Sequence, residues 1–221
     1  GAQRTAARNL ELELERQILP DGGHVSRNPL TLLELLADLL PLRQVHVGQA
    51  LAPPSNLVAS IDRMVLALRF FRHADGSMAR FNGMGVTLHE RVGAILRHDD
   101  ISGAPLQHAP QSGYDRLELG PTIVIADTGN PPPPGLAAAA HAGCLAFEMS
   151  SGHQCFIVNC GVDNYGPAEL RPLGRATAAH STATLNETSQ ARFVHPRLVQ
   201  QIVGAPLHPG AKRYYQEIGV L

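Results

Sequence analysis

The sequence predicts an α+β fold in which a helical half precedes an antiparallel sheet. Before residue 100, apolar residues recur at helical spacing, and after it short β-branched pieces bounded by Gly, Pro, Asn or Ser take over. These strand-length pieces follow one another without intervening helices, which favours a sandwich or barrel over a doubly wound sheet. We therefore expect a helical domain over residues 1–100 and an antiparallel β-sandwich over residues 101–221.

Four helices are expected in the first half. The first covers residues 4–19 and ends at the breaker PDGG. The second begins at Pro29 with Asn28 as its N-cap and runs through LTLLELLADLL to a stop at Pro41. The third covers residues 56–73, and a shorter fourth is expected at 87–96.

The strand candidates in the second half are YDRLEL, TIVIAD, CLAFEM, CFIVNC, ATLN and ARFV. SSGHQ, between the third and fourth of these, has the composition of a hairpin turn, with Gly152 available for a positive backbone dihedral.

Composition excludes several classes of function. A net charge of -1, with 18 basic and 19 acidic residues, gives no basic surface for nucleic acid. We find no apolar run long enough for a membrane span. The three cysteines form no CxxC pair, so we expect buried thiols. The sequence predicts no particular oligomeric state.

The segment ILPDGGHVSRNP, residues 18–29, places His24 in a glycine-rich turn between two helices. Two interpretations are open. The imidazole could serve chemistry in a cleft, or it could satisfy free backbone groups at a helix end.

Several blocks, in order, resemble the heparinase II/III-like polysaccharide lyases. They are LPDGGHVSRNP, HADGSMARFNG, SGYDRLELG, HAGCLAFEMSSGHQCFIVNCG and AAHSTATL. The resemblance implies the end of an (α/α) toroid joined to a β-sandwich, with part of the toroid missing, so we expect a fragment of a longer chain.

The resemblance also implies β-elimination on an acidic, uronate-containing polysaccharide. Under that expectation, the candidate catalytic residues are His24, Asn82, Tyr114 and His141, and the candidate substrate-binding residues are Arg27, Asn28 and Arg80. An ordinary turn residue is the alternative for Asn82, and a packing residue is the alternative for Tyr114. Two departures weaken the enzyme assignment: the chain has no tyrosine before Tyr114, and Ala139 replaces the first histidine of its block. The rival hypothesis is a catalytically degenerate carbohydrate-binding or envelope-associated protein on the same scaffold. A third is a structural α+β module whose resemblance is accidental.

No cofactor is required for this chemistry, but the resemblance implies a possible structural zinc at His141, Asn159 and His180. Asparagine is a poor zinc ligand, so histidines hydrogen-bonded in a core are the alternative. Seven other histidines are expected to be exposed: His73, His89, His98, His108, His153, His195 and His208. The resemblance favours a periplasmic location, with the cytoplasm as the alternative.

Overall fold

The computed structural model describes residues 2–87, 89–97, 104–163 and 166–182. Four longer helices come first: α1 (Ala2–Gln17), α2 (Pro29–Gly48), α3 (Ser55–Phe70) and α4 (His89–Leu96). Five strands follow: β1 (His108–Ala109), β2 (Tyr114–Leu119), β3 (Thr122–Asp127), β4 (Phe147–Ser151) and β5 (Gln154–Ile157). Three 3₁₀ turns, Pro134–Ala139, Ala168–Leu170 and Thr177–Ala179, and the one-turn helix α5 (Arg171–Gly174) lie in the second half.

The α+β class is confirmed: the strands form one antiparallel sheet in the order β1-β2-β3-β4-β5. Successive side chains along a strand point to opposite faces of the sheet. Ile123 and Ile125 of β3 point into the core shared with the helices, while Leu117, Leu119 and Phe156 are exposed. Gly152, with φ of 55°, turns β4 into β5 as expected. The candidates ATLN and ARFV lie outside the described residues.

The start of α2 is as predicted, but its end is not. Asn28 caps it, because its side-chain oxygen accepts the N–H of Leu30 at 2.9 Å. The helix then continues through Pro41 to Gly48. Pro41 lies on the exposed side, where water can satisfy the carbonyl of Ala37 that loses its helical N–H partner. The buried leucines on the other side hold the helix against α3: Leu32, Leu33, Leu36, Leu39 and Leu40.

Two expectations about burial are wrong. Cys144, Cys155 and Cys160 are exposed rather than buried, because Cys155 lies on the edge strand β5 and the other two lie in loops. His73 is buried rather than exposed. Within the described residues, no helix is long and apolar enough to cross the bilayer.

Candidate functional site

The turn between α1 and α2 is built on backbone hydrogen bonds and one glycine. The N–H of Gly22 donates to the carbonyl of Leu19 at 2.9 Å. Gly22 has φ of 80°, and a Cβ there would lie 2.0 Å from the carbonyl oxygen of Arg63 in α3. Glycine therefore lets the turn lie directly on the α3 backbone.

His24 is buried within this turn. The N–H of Ser26 donates to its Nδ1 at 3.1 Å, so Nδ1 accepts and Nε2 donates to the side-chain oxygen of Gln17 at 3.3 Å. Burial lowers the pKa of His24, which favours the neutral ring. The imidazole satisfies groups of its own turn, which is the structural alternative for this residue. Its catalytic role stays a prediction that this geometry does not favour.

Arg27 joins the helical turn to the sheet. Its side chain donates to the carbonyls of Ser112, Gly113 and Asn130 at 2.7–2.9 Å. Its Nη2 also pairs with the Asp127 carboxylate at 2.5 Å, and both side chains are buried. The guanidinium is therefore held by protein groups from residues 112–130 rather than presented free to a substrate.

Tyr114 lies at the centre of this interface, 1% exposed. Its hydroxyl donates to the carbonyl of Arg27 at 2.7 Å and accepts from Nδ2 of Asn82 at 2.6 Å. Burial raises the pKa of Tyr114 far above its ordinary value, so the phenol stays protonated. Edge-on contacts with Phe71 pack the ring.

His141 continues the same network. The side-chain oxygen of Asn82 accepts its backbone N–H at 3.0 Å, and Gly83 donates its N–H to His141 Nε2 at 2.8 Å. His141 Nδ1 lies 2.9 Å from His180 Nε2. Burial lowers the pKa of His141 to about 2, and it lowers the pKa of His180 as well. The structure thus brings Asn82, Tyr114 and His141 together, while His24 bonds separately in its own turn.

The predicted substrate-binding residues Asn28 and Arg80 also have structural contacts. Asn28 is committed to capping α2. The backbone N–H of Arg80 donates to Glu148 at 3.0 Å, and its side-chain stem packs near Gly161. Their proposed roles in binding remain predictions.

The zinc candidates His141, Asn159 and His180 do not fit a metal. The side-chain oxygen of Asn159 accepts the N–H of Ser181 at 3.0 Å, and its buried Nδ2, a donor, has no partner. An amide N–H₂ cannot ligate zinc. Among the described residues, no cluster of three or more His, Cys, Asp or Glu side chains is placed to hold an ion.

A second buried cluster was missed from the sequence. His73 Nε2 lies 3.0 Å from the Glu148 carboxylate, and its Nδ1 lies 2.8 Å from the Ser150 hydroxyl. Arg116 is buried too and donates to the carbonyl of Phe70 at 2.9 Å. The sequence did contain a signal for this cluster. Burial alternates along β2 and β4, and Arg116, Glu148 and Ser150 occupy the buried positions, where a polar side chain needs a partner.

A cleft of about 480 Å³ opens beside Arg27, at the junction of the α1–α2 turn with the sheet. Val25 and His108 line it, with the rigid prolines 131–133 along one wall. His24 does not line it.

The second half of the sequence identifies the family of this chain. Residues 101–217 match the family described as heparinase II/III-like, C-terminal. The chain belongs to this family. Two solved structures share its fold. A heparinase III crystal structure matches with a TM-score of 0.62 and 14% identity, over 80% of this chain and 34% of that one. Heparan sulfate lyase HepC from Pedobacter heparinus matches with a TM-score of 0.61 and 20% identity, over 81% and 32%.

This heparinase-like chain is also similar to a protein that is named for its localisation rather than for an enzyme activity. FtsZ-localized protein C of Caulobacter vibrioides (strain NA1000 / CB15N) is 40% identical over 156 residues, 71% of this chain. The match spans 27% of that relative's length, so this chain corresponds to about a quarter of it. By family and fold the chain is polysaccharide lyase-like.

Proposed function

We propose that this chain is a catalytically degenerate heparinase-like module that binds a partner instead of cleaving a glycan. The observation that carries the proposal is the Tyr114 hydroxyl, which is buried and bonded to both Arg27 and Asn82. An elimination catalyst needs an acid and a base that reach the sugar and exchange protons near neutral pH. A buried phenol with a raised pKa meets neither requirement.

The histidines support the same proposal. His24 and His141 are engaged by neighbouring groups, and burial lowers the pKa of each. A neutral, hydrogen-bonded imidazole can neither neutralise a uronate carboxylate nor approach the proton beside it. These polar groups instead hold the helical turn, the sheet and the following loops together.

The similarity to FtsZ-localized protein C suggests the kind of partner. We propose that the longer protein containing this module associates with FtsZ polymers. The test is co-sedimentation of the full-length protein with FtsZ of the same organism, in GTP and, as a control, in GDP. Recovery in the pellet only with GTP-assembled polymers supports the proposal. A protein that stays in the supernatant under both conditions contradicts it.

A second candidate function is β-elimination on a uronate glycan such as heparan or alginate. The cleft of about 480 Å³ favours it, because the exposed His108 lies along its lining. The full-length protein is incubated with these glycans while the ultraviolet absorbance of unsaturated uronate is followed. We expect no product. Turnover that a His108→Ala variant lacks, with a His89→Ala variant of the exposed α4 surface as the control, would replace the binding proposal with the enzyme.

A further inference from the structure

The positions of the protons in the His141–His180 pair follow from their neighbours. His180 Nδ1 lies 2.7 Å from the carbonyl oxygen of Ala176, which can only accept, so Nδ1 carries the proton and Nε2 of the neutral ring accepts. His141 Nε2 lies 2.8 Å from the backbone N–H of Gly83, which can only donate, so this nitrogen accepts. The proton of His141 is then on Nδ1, which donates to His180 Nε2 at 2.9 Å.

All four ring nitrogens are therefore used in one directional chain. It runs from the Gly83 N–H through His141 and His180 to the Ala176 carbonyl. Each donor meets an acceptor with both rings neutral. The chain ties the loop after α3 to the segments around residues 141 and 176, which are far apart in sequence.

This arrangement leaves too few lone pairs for zinc, which takes three or four deprotonated ligands from protein. The Nε2 lone pair of His141 faces Gly83, and its Nδ1 carries a proton. Reversing the Asn159 amide would not help, since its N–H₂ would then face the donating N–H of Ser181.

The backbone at Gly143 lies close against the His180 ring. A Cβ built on it would lie 2.7 Å from Cδ2 of His180. A carboxylate side chain at this position therefore could not approach the pair unless the His180 ring moved.

We infer that this protein holds these three segments together with a metal-free cross-link of two neutral imidazoles, at the position where the resemblance implied zinc. The cross-link is independent of whether the module binds FtsZ or a glycan. Asn159 belongs to the same local structure but contributes no ligand.

Metal analysis of the purified full chain tests the inference directly. After dialysis against zinc and removal of the free metal, elemental mass spectrometry should find far less than one zinc per chain. The Tm should be unchanged by a chelator or by added zinc. One bound zinc per chain whose removal lowers the Tm would overturn the inference.

The ring protons provide a second measurement that needs no mutation. Long-range ¹H–¹⁵N correlation spectra should show His141 and His180 both as neutral rings protonated on Nδ1. A His141 ring protonated on Nε2, or on both nitrogens, at neutral pH would contradict the assigned chain.

Removing the cross-link should cost stability regardless of metal. His141→Ala removes the ring that accepts from the buried N–H of Gly83 and donates to Nε2 of His180, so the unfolding equilibrium constant should rise about tenfold or more. The rise should be the same with zinc or with chelator. His89→Ala, at an exposed histidine, is the control and should leave the constant unchanged. A loss that appears only when zinc is present would refute the metal-free cross-link.

Discussion

Asp127→Asn tests the central claim that buried polar groups hold the two halves together. The substitution removes the charge paired with Arg27 while keeping the shape of the side chain. It also replaces one oxygen with N–H₂ close to the Nδ2 donor of Asn82, which lies 3.5 Å from Oδ2 in the present structure.

The expected loss of stability depends on the hydrogen bonds that Arg27 retains in the variant. Breaking a buried ion pair by removing one partner costs about 3–5 kcal/mol. Three backbone carbonyls still accept from the guanidinium, so we expect a loss near the lower end, about 3 kcal/mol. For a chain of this size that corresponds to a decrease in Tm of about 6–12 °C.

Urea unfolding of the variant and the original protein measures this loss. The matched control is Asp115→Asn, whose carboxylate lies on the other face of the sheet, accepts from Thr128 at 2.7 Å and pairs with His108. Because both contacts are exposed, weakening them should cost less than about 1 kcal/mol. If the two variants lose the same free energy, the buried pair does not hold the halves together.

Three further predictions concern the same network. Tyr114→Phe removes the donor to the Arg27 carbonyl and the shorter of the two contacts of Asn82 Nδ2, and should lower the free energy of unfolding by about 1–3 kcal/mol in denaturant titrations; an unchanged midpoint would contradict the assigned bonds. The pKa of His141, 6.5 in its ordinary state, is lowered to about 2 by burial, so the unfolded chain takes up the extra proton as pH falls below about 6.5. Stability should therefore decrease from pH 7 to pH 5, by about 2 kcal/mol from this residue, and His141→Gln should flatten that dependence. Gly22→Ala should cost more than about 3 kcal/mol because its Cβ meets backbone, whereas Gly93→Ala, in α4 with open space around it, should stabilise by about 0.5–1 kcal/mol; similar Tm values for both would show that the turn does not lie on α3.

Periodicity predicted the fold better than it predicted the site. The helices, the hairpin at Gly152 and the N-cap at Asn28 follow from local spacing and capping chemistry, which act over a few residues. Pro41 was misjudged because its effect depends on which side of α2 faces water.

The burial of the polar residues could not be derived in the same way. Arg27 and Asp127 are separated by 100 positions, so no local pattern pairs them. The composition of the turn around His24 is compatible with both a cleft and a packed interface. Only the three-dimensional contacts distinguish the two, whereas the inward position of Asp127 in β3 was a signal already present in the alternation.

The strict succession of strands in the sheet has a consequence for folding order. Each strand pairs with its neighbour in sequence, so the contacts of the sheet are local, which favours fast pairing of the strands. The helical half emerges first during synthesis, yet the arginine in its turn has no carboxylate until residue 127 has been made. Until then Arg27 lacks both its carboxylate and the carbonyls of residues 112 and 113, so this part of the contact between helices and sheet forms only after the second and third strands have been made.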